Sequence, residues 1–160
     1  MSAYITLATP MLDAECLVAA IAEQGFDRAK LERSEVAVDL RGWQRGRKAH
    51  IVLRKEHTGD RYNDIGFVRG DAGYSAILSD DHPTFGRDWL ARVSAGYAKL
   101  WSAKQARLAA EERRRLEEER QRVVEAQRKA VHERARKMGY RVQESHDGDT
   151  IRLVLVKRTY

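Results

Sequence analysis

Five histidines, one cysteine and a scatter of carboxylates are the side chains from which a catalytic or metal site would have to be built. His50, His57, His82, His132 and His146 stand at no ligand spacing from one another or from Cys16. Neither H-x-x-x-H nor C-x-x-C occurs, so a zinc site is not expected. Asp80-Asp81-His82 is the one local cluster with donors for a divalent metal or for acid–base work. Together with Asp64 it supplies the residues an enzyme would use: Asp64, Asp80 and His82. A polar loop ahead of a helix accounts for the same residues without chemistry. Cys16 lies on an apolar helical face near Leu12 and Val18 and reads as a small buried hydrophobe with no base beside it. The expectation is a protein that is not an enzyme, with no cofactor and no metal.

A second cluster binds rather than reacts. Arg41 is followed by Gly42-Trp43-Gln44-Arg45-Gly46-Arg47-Lys48. Guanidinium groups and backbone amides in such a turn can hold phosphate, and Trp43 can stack on a base. The segment lacks the G-x-x-x-x-G-K-[ST] spacing of a nucleotide loop. A hairpin turn with its charges in water is the alternative reading.

A third cluster is an extended basic segment. Between Leu100 and Met138 there are 12 Lys or Arg and 7 Asp or Glu, so this segment carries +5 of the chain's +6. Glu111–Arg115, Glu118–Arg122, Glu125–Lys129 and Glu133–Lys137 each have the favoured i, i+4 order, worth about 0.3–0.5 kcal/mol apiece on a helix. No Gly or Pro interrupts Tyr97 to Met138. The residues that would bind nucleic acid or a protein here are Arg113, Arg114, Arg115, Arg120 and Arg122. Interleaved Glu and Arg also suit a solvated spacer.

These clusters must be carried by elements. Period-two alternation predicts strands at Tyr4–Ala8, Glu35–Leu40, Ala49–Arg54, Asp64–Arg69, Tyr74–Leu78, Tyr140–Gln143 and Thr150–Lys157. Asp13 is an N-cap for a helix over Ala14–Gln24, stopped by Gly25. His57–Asn63 is a polar turn, and a turn at Asp147-Gly148 joins the last two strands. Trp89, Leu90, Val93, Tyr97, Leu100 and Trp101 form one apolar face at the start of the long helix. Each long helix ends in Gly followed by an aromatic residue and then two strands. This echo reads as an internal strand–helix–strand–strand duplication or as a common junction.

A helix from Asp88 to Met138 would be about 75 Å long. If the strands on either side of it share one sheet, it must double back, with a turn within Ala109–Glu119, or a second molecule must pair with it. Doubling back is the preferred expectation. Leu116, Val123 and Ala130 recur every seven residues but make a poor heptad seam, so a homodimer through the long helix is the alternative.

Several short motifs occur in a telling order: Ile5-Thr6-Leu7, Glu23-Gln24-Gly25-Phe26, Leu40-Arg41-Gly42-Trp43, Asp64-Ile65-Gly66-Phe67, Gly73-Tyr74, Gly96-Tyr97-Ala98, Ala135-Arg136-Lys137-Met138-Gly139-Tyr140 and Asp149-Thr150-Ile151-Arg152-Leu153-Val154-Leu155. With these the chain resembles the hypothetical chloroplast reading frame thirty-five family, a domain of plastids, cyanobacteria and other bacteria. The resemblance spans the chain apart from the basic segment, which compact members lack. It brings no catalytic residues. It implies an accessory subunit working beside an AAA-type ATPase.

The expected architecture is therefore α+β. An antiparallel sheet of about six strands, helices on one face, forms a single domain from 1–99 and 139–160, with 100–138 inserted as a charged helical arm. One cysteine fits a reducing compartment. The start of the chain shows no signal pattern and no 18-residue apolar run occurs, so a soluble, cytoplasmic protein without membrane contact is expected. The expected function is a non-catalytic adaptor acting through protein contacts of the arm. The alternative is nucleic-acid binding by the arm and the Arg41–Lys48 turn.

Overall fold

A computed structural model describes residues 3–157, so the outermost residues of the expected domain range, 1–2 and 158–160, lie outside it. The chain is α+β and divides into two compact units, Met1–Ala106 and Arg107–Tyr160. One helix, α3 (Arg87–Lys137), runs from the first into the second.

The first unit holds β1 (Tyr4–Ala8), α1 (Ala14–Ala22), a 3-10 turn (Arg28–Lys30), β2 (Leu31–Asp39), β3 (Lys48–Leu53), α2 (Lys55–Thr58), β4 (Ile65–Gly70) and β5 (Gly73–Ser79). Its strands form one antiparallel sheet in the order β1-β5-β4-β3-β2. Asp13 caps α1 by accepting the Cys16 N–H at 2.8 Å. Alternation then sorts the strand residues. Ile51, Leu53, Ile65, Phe67, Ala76 and Leu78 gather with Leu17 and Ile21 of α1 and with Trp89, Leu90, Val93 and Tyr97 of α3. Cys16 is buried in this core, as its apolar setting predicts.

Val52 and Ile77 point to the opposite face and gather with Tyr4, Leu40 and Ala49. Leu40 gets there because β2 is irregular. From Arg33 to Val38 the β2 strand advances five residues while β3 retreats only from Ile51 to Ala49. A bulge of this kind bends a strand and redirects the chain beyond it. The segment after β2 therefore folds across the second face of the sheet.

The second unit holds the rest of α3 with β6 (Tyr140–Asp147) and β7 (Thr150–Lys157). Gly139, at φ +79, ends the helix in the left-handed conformation that glycine adopts without strain. Asp147 pairs with Thr150, so Gly148 and Asp149 make the two-residue turn. Arg128 and His132 of α3 both reach the Glu144 carboxylate on β6.

Three expectations need correction. The single sheet of about six strands is instead a five-stranded sheet and a separate two-stranded one, because β6 and β7 pair with each other. The order strand–helix–strand–strand occurs around α1, around the short α2 and around α3, but the expected second half around α3 does not place its strands in one sheet, because β5 belongs to the five-stranded sheet and β6 and β7 to the other. The turn within Ala109–Glu119 does not exist, since α3 is unbroken over 51 residues. Doubling back was required only if the last strands had to rejoin the first sheet, and they do not. Good helix formers with no breaker then let the helix continue. Among the four expected ion pairs, Glu125–Lys129 closes at 4.0 Å, while Arg107–Glu111 and Arg114–Glu118 close in the reverse order.

Candidate functional site

The segment crossing the second face of the sheet is clamped by two buried polar side chains. Asp64 is fully buried, and its carboxylate accepts three hydrogen bonds: from the Arg41 N–H at 2.8 Å, the Lys55 N–H at 2.9 Å and the Arg54 guanidinium at 2.8 Å. The Asp64 N–H donates back to the Arg41 carbonyl at 2.9 Å. Arg54 also pairs with Glu32, whose carboxyl this guanidinium holds below its ordinary value. Asn63, also fully buried, accepts the Trp43 N–H at 3.0 Å and donates to Ser79 Oγ at 2.8 Å. The Tyr4 hydroxyl donates to the Arg41 carbonyl at 3.0 Å. Its burial, with the Asp64 charge nearby, pushes its pKa up to about 12. Gly42 is required here by close approach, because a Cβ at that position would lie 2.5 Å from Tyr4 Oη and 2.6 Å from Asn63 Oδ1.

This bracing presents aromatics to solvent. Trp43 is 62% exposed and Tyr62 is 51% exposed. Both line a cleft of about 520 Å³ with Asp60, Arg61, Asp81 and His82. Asp60 accepts the Tyr62 N–H at 2.7 Å and the Asn63 N–H at 3.2 Å, which fixes the loop that carries Tyr62. His82 Nδ1 accepts the Thr84 and Phe85 N–H groups at 3.1 and 3.0 Å. The neutral ring must then carry its proton on Nε2. That nitrogen sits 3.8 Å from Asp60 Oδ2, beyond hydrogen-bond length.

The sequence-derived candidates therefore divide. Trp43 and His82 meet in one cleft, with Asp81 in place of the expected Asp80. Asp64 is a buried anchor and touches no open space. Arg41 is exposed and pairs with Glu56 at 3.3 Å, and Lys48 lies 3.9 Å from Asp39. Arg45 and Arg47 are exposed on the same segment. Arg113, Arg114, Arg115, Arg120 and Arg122 are exposed on α3 in the second unit, and Arg114 pairs with Glu118. Sequence reasoning passed over Asp60, Arg61, Tyr62 and Asn63 as a polar turn. The signal was an aromatic residue inside that turn, followed directly by Asn-Asp. Among the described residues no group of three or more His, Cys, Asp or Glu is placed to hold a metal ion. No described helix is long and apolar enough to cross a membrane.

The second unit has a different character. Of the described residues in Arg107–Tyr160, Ala135 alone is a buried hydrophobic. Leu108, Leu116, Val123 and Val124 on α3 are between 40% and 53% exposed, and Val154, Leu155 and Val156 on β7 are exposed as well. No family model, curated protein or solved structure matches this chain.

Proposed function

We propose that this protein is a non-catalytic assembly subunit, with the Arg107–Tyr160 unit as its contact element and a second copy of the chain as its first partner. The observation that carries the reading is the lone buried Ala135. One helix and a two-stranded hairpin with open edges do not make a stable core in water. Burial of the exposed apolar side chains against another chain would supply the missing core.

Charge order supports a second copy. Arg113-Arg114-Arg115 precedes Leu116 and Glu117-Glu118-Glu119 comes directly after it. In an antiparallel pair of α3 helices related by a two-fold axis at Leu116, each arginine block comes level with the glutamate block of the second copy. The same register brings Leu108 level with Val124, and Ala109 level with Val123. Such an interface is self-complementary, as two-fold pairing requires. An AAA-type ATPase is the further partner that the family resemblance implies, and it would dock on the assembled pair.

The test is molar mass by light scattering during size exclusion, near physiological salt. The wild type should run as a dimer. Reversal of one block (R113E, R114E, R115E) should yield monomer, and adding E117R, E118R and E119R to the same chain should restore the dimer. A monomeric wild type at about 100 µM, far above a micromolar Kd, would overturn the self-pairing reading. Co-purification of the full-length chain from its source tests the ATPase separately.

A further inference from the structure

We propose that the cleft between Trp43 and Tyr62 binds single-stranded nucleic acid by stacking an unpaired base. The two rings are exposed, yet their loops are not loose. Buried Asn63 grips the Trp43 backbone and is itself the residue next to Tyr62. Asp60 pins the Tyr62 N–H. A stacking platform gains affinity when the protein has already met the cost of ordering it. Nothing in the packing of the first unit needs Trp43, since neither core cluster includes it.

The surroundings fit the rest of a nucleotide. Among the described residues no carboxylate lies within 4.0 Å of the charged groups of Arg45, Arg47 or Arg61. These guanidiniums are exposed beside the two aromatics and suit phosphate. On the same cleft, His82 Nε2–H is a donor and the Asp81 carboxylate is an acceptor. A nucleobase edge offers both complements. The volume of about 520 Å³ lies in the range of ordinary ligand sites. Bases paired in a duplex have no exposed face to insert, so the site selects single strands.

This site is independent of the assembly reading, because all of its residues lie in Met1–Ala106. The test uses full-length protein and fluorescein-labelled 12-nucleotide single strands, of RNA and of DNA, with a blunt-ended, loop-free duplex of the same sequence as the paired control. Single strands should bind, and the duplex should bind at least tenfold more weakly. Trp43→Ala and Tyr62→Ala should each weaken single-strand binding about tenfold or more, the loss expected for one stacked base. Trp43→Phe should recover most of it. Arg45→Ala with Arg47→Ala should flatten the salt dependence. Reversal of Arg113 to Arg115 should leave binding unchanged. Equal affinity for the duplex, unchanged binding in Trp43→Ala and Tyr62→Ala, or no binding at 50 mM salt would each overturn the proposal. Circular dichroism of each variant separates loss of contact from loss of fold.

Discussion

Asp64 shows how a carboxylate can look like chemistry and serve architecture. Its charge is buried against Arg54, whose side chain is only 12% exposed, and its oxygens satisfy two backbone N–H groups on separate segments. Asp64→Ala should therefore cost about 3–5 kcal/mol in urea unfolding, because it takes one of two carboxylates from a largely buried guanidinium and leaves the Arg41 and Lys55 N–H groups without their acceptor. Asp64→Asn should cost less, since an amide oxygen still accepts. Tyr4 gives a pH signature from the same clamp. Its pKa is about 12 in the fold against an ordinary 10.0, so the phenol favours folding below pH 10. That contribution is lost as pH rises through about 12. Tyr4→Phe should remove this alkaline slope and lower stability by about 1 kcal/mol at neutral pH. In Asp13, burial pushes the carboxyl up, but the hydrogen bonds from Lys104 and the Cys16 N–H outweigh it and the group ends below its ordinary value. That pairing ties α3 at Lys104, several turns past its start, to the cap of α1.

At the scale of elements, periodicity carried most of the information. The strands, α1 and the helical character of α3 were legible because alternation and helical spacing record which side of each element is buried, although the preferred expectation broke α3 within Ala109–Glu119. Two features were not legible. The bulge in β2 leaves no mark on composition, yet it decides that Leu40 to Gln44 crosses the sheet and brings Trp43 to Tyr62. The pairing of β6 with β7 alone is also invisible, because a strand pattern does not name its neighbour. The β6–α3 contact has its own titration. Hydrogen bonds from Arg128, then His132, pull the Glu144 pKa down to about 2 from 4.5. A depressed carboxyl favours the folded form above its unfolded pKa, and this support fades as pH falls from about 4.5 through about 2. Protection of the β6 and β7 amides, taken relative to intrinsic exchange at each pH, should fall over that window and stay nearly flat in Glu144→Gln. Unchanged protection in the wild type would mean that this cluster does not hold the hairpin.

At the scale of the molecule, charge and core are divided unequally. Every residue of the two core clusters lies between Tyr4 and Trp101, inside the first unit. Of the chain's net +6, residues 107–160 carry +5. A unit with a full core and little net charge can fold alone, while under the proposed pairing the charged unit, with one buried alanine among its described hydrophobic residues, completes its core against a second copy. The fragment 1–106 should thus unfold in a single cooperative step, at a Tm within a few degrees of the first transition of the full chain. The fragment 107–160 should behave otherwise. Its helical signal in circular dichroism should rise with concentration, because folding and pairing are one equilibrium there. Leu116→Lys should shift that rise to higher concentration by placing two like charges on the proposed axis. It should leave the fragment 1–106 transition in the full chain where it was. A concentration-independent signal from 107–160 would show that the helix and hairpin hold together without a second copy, and the exposed apolar residues of α3 would then need another partner.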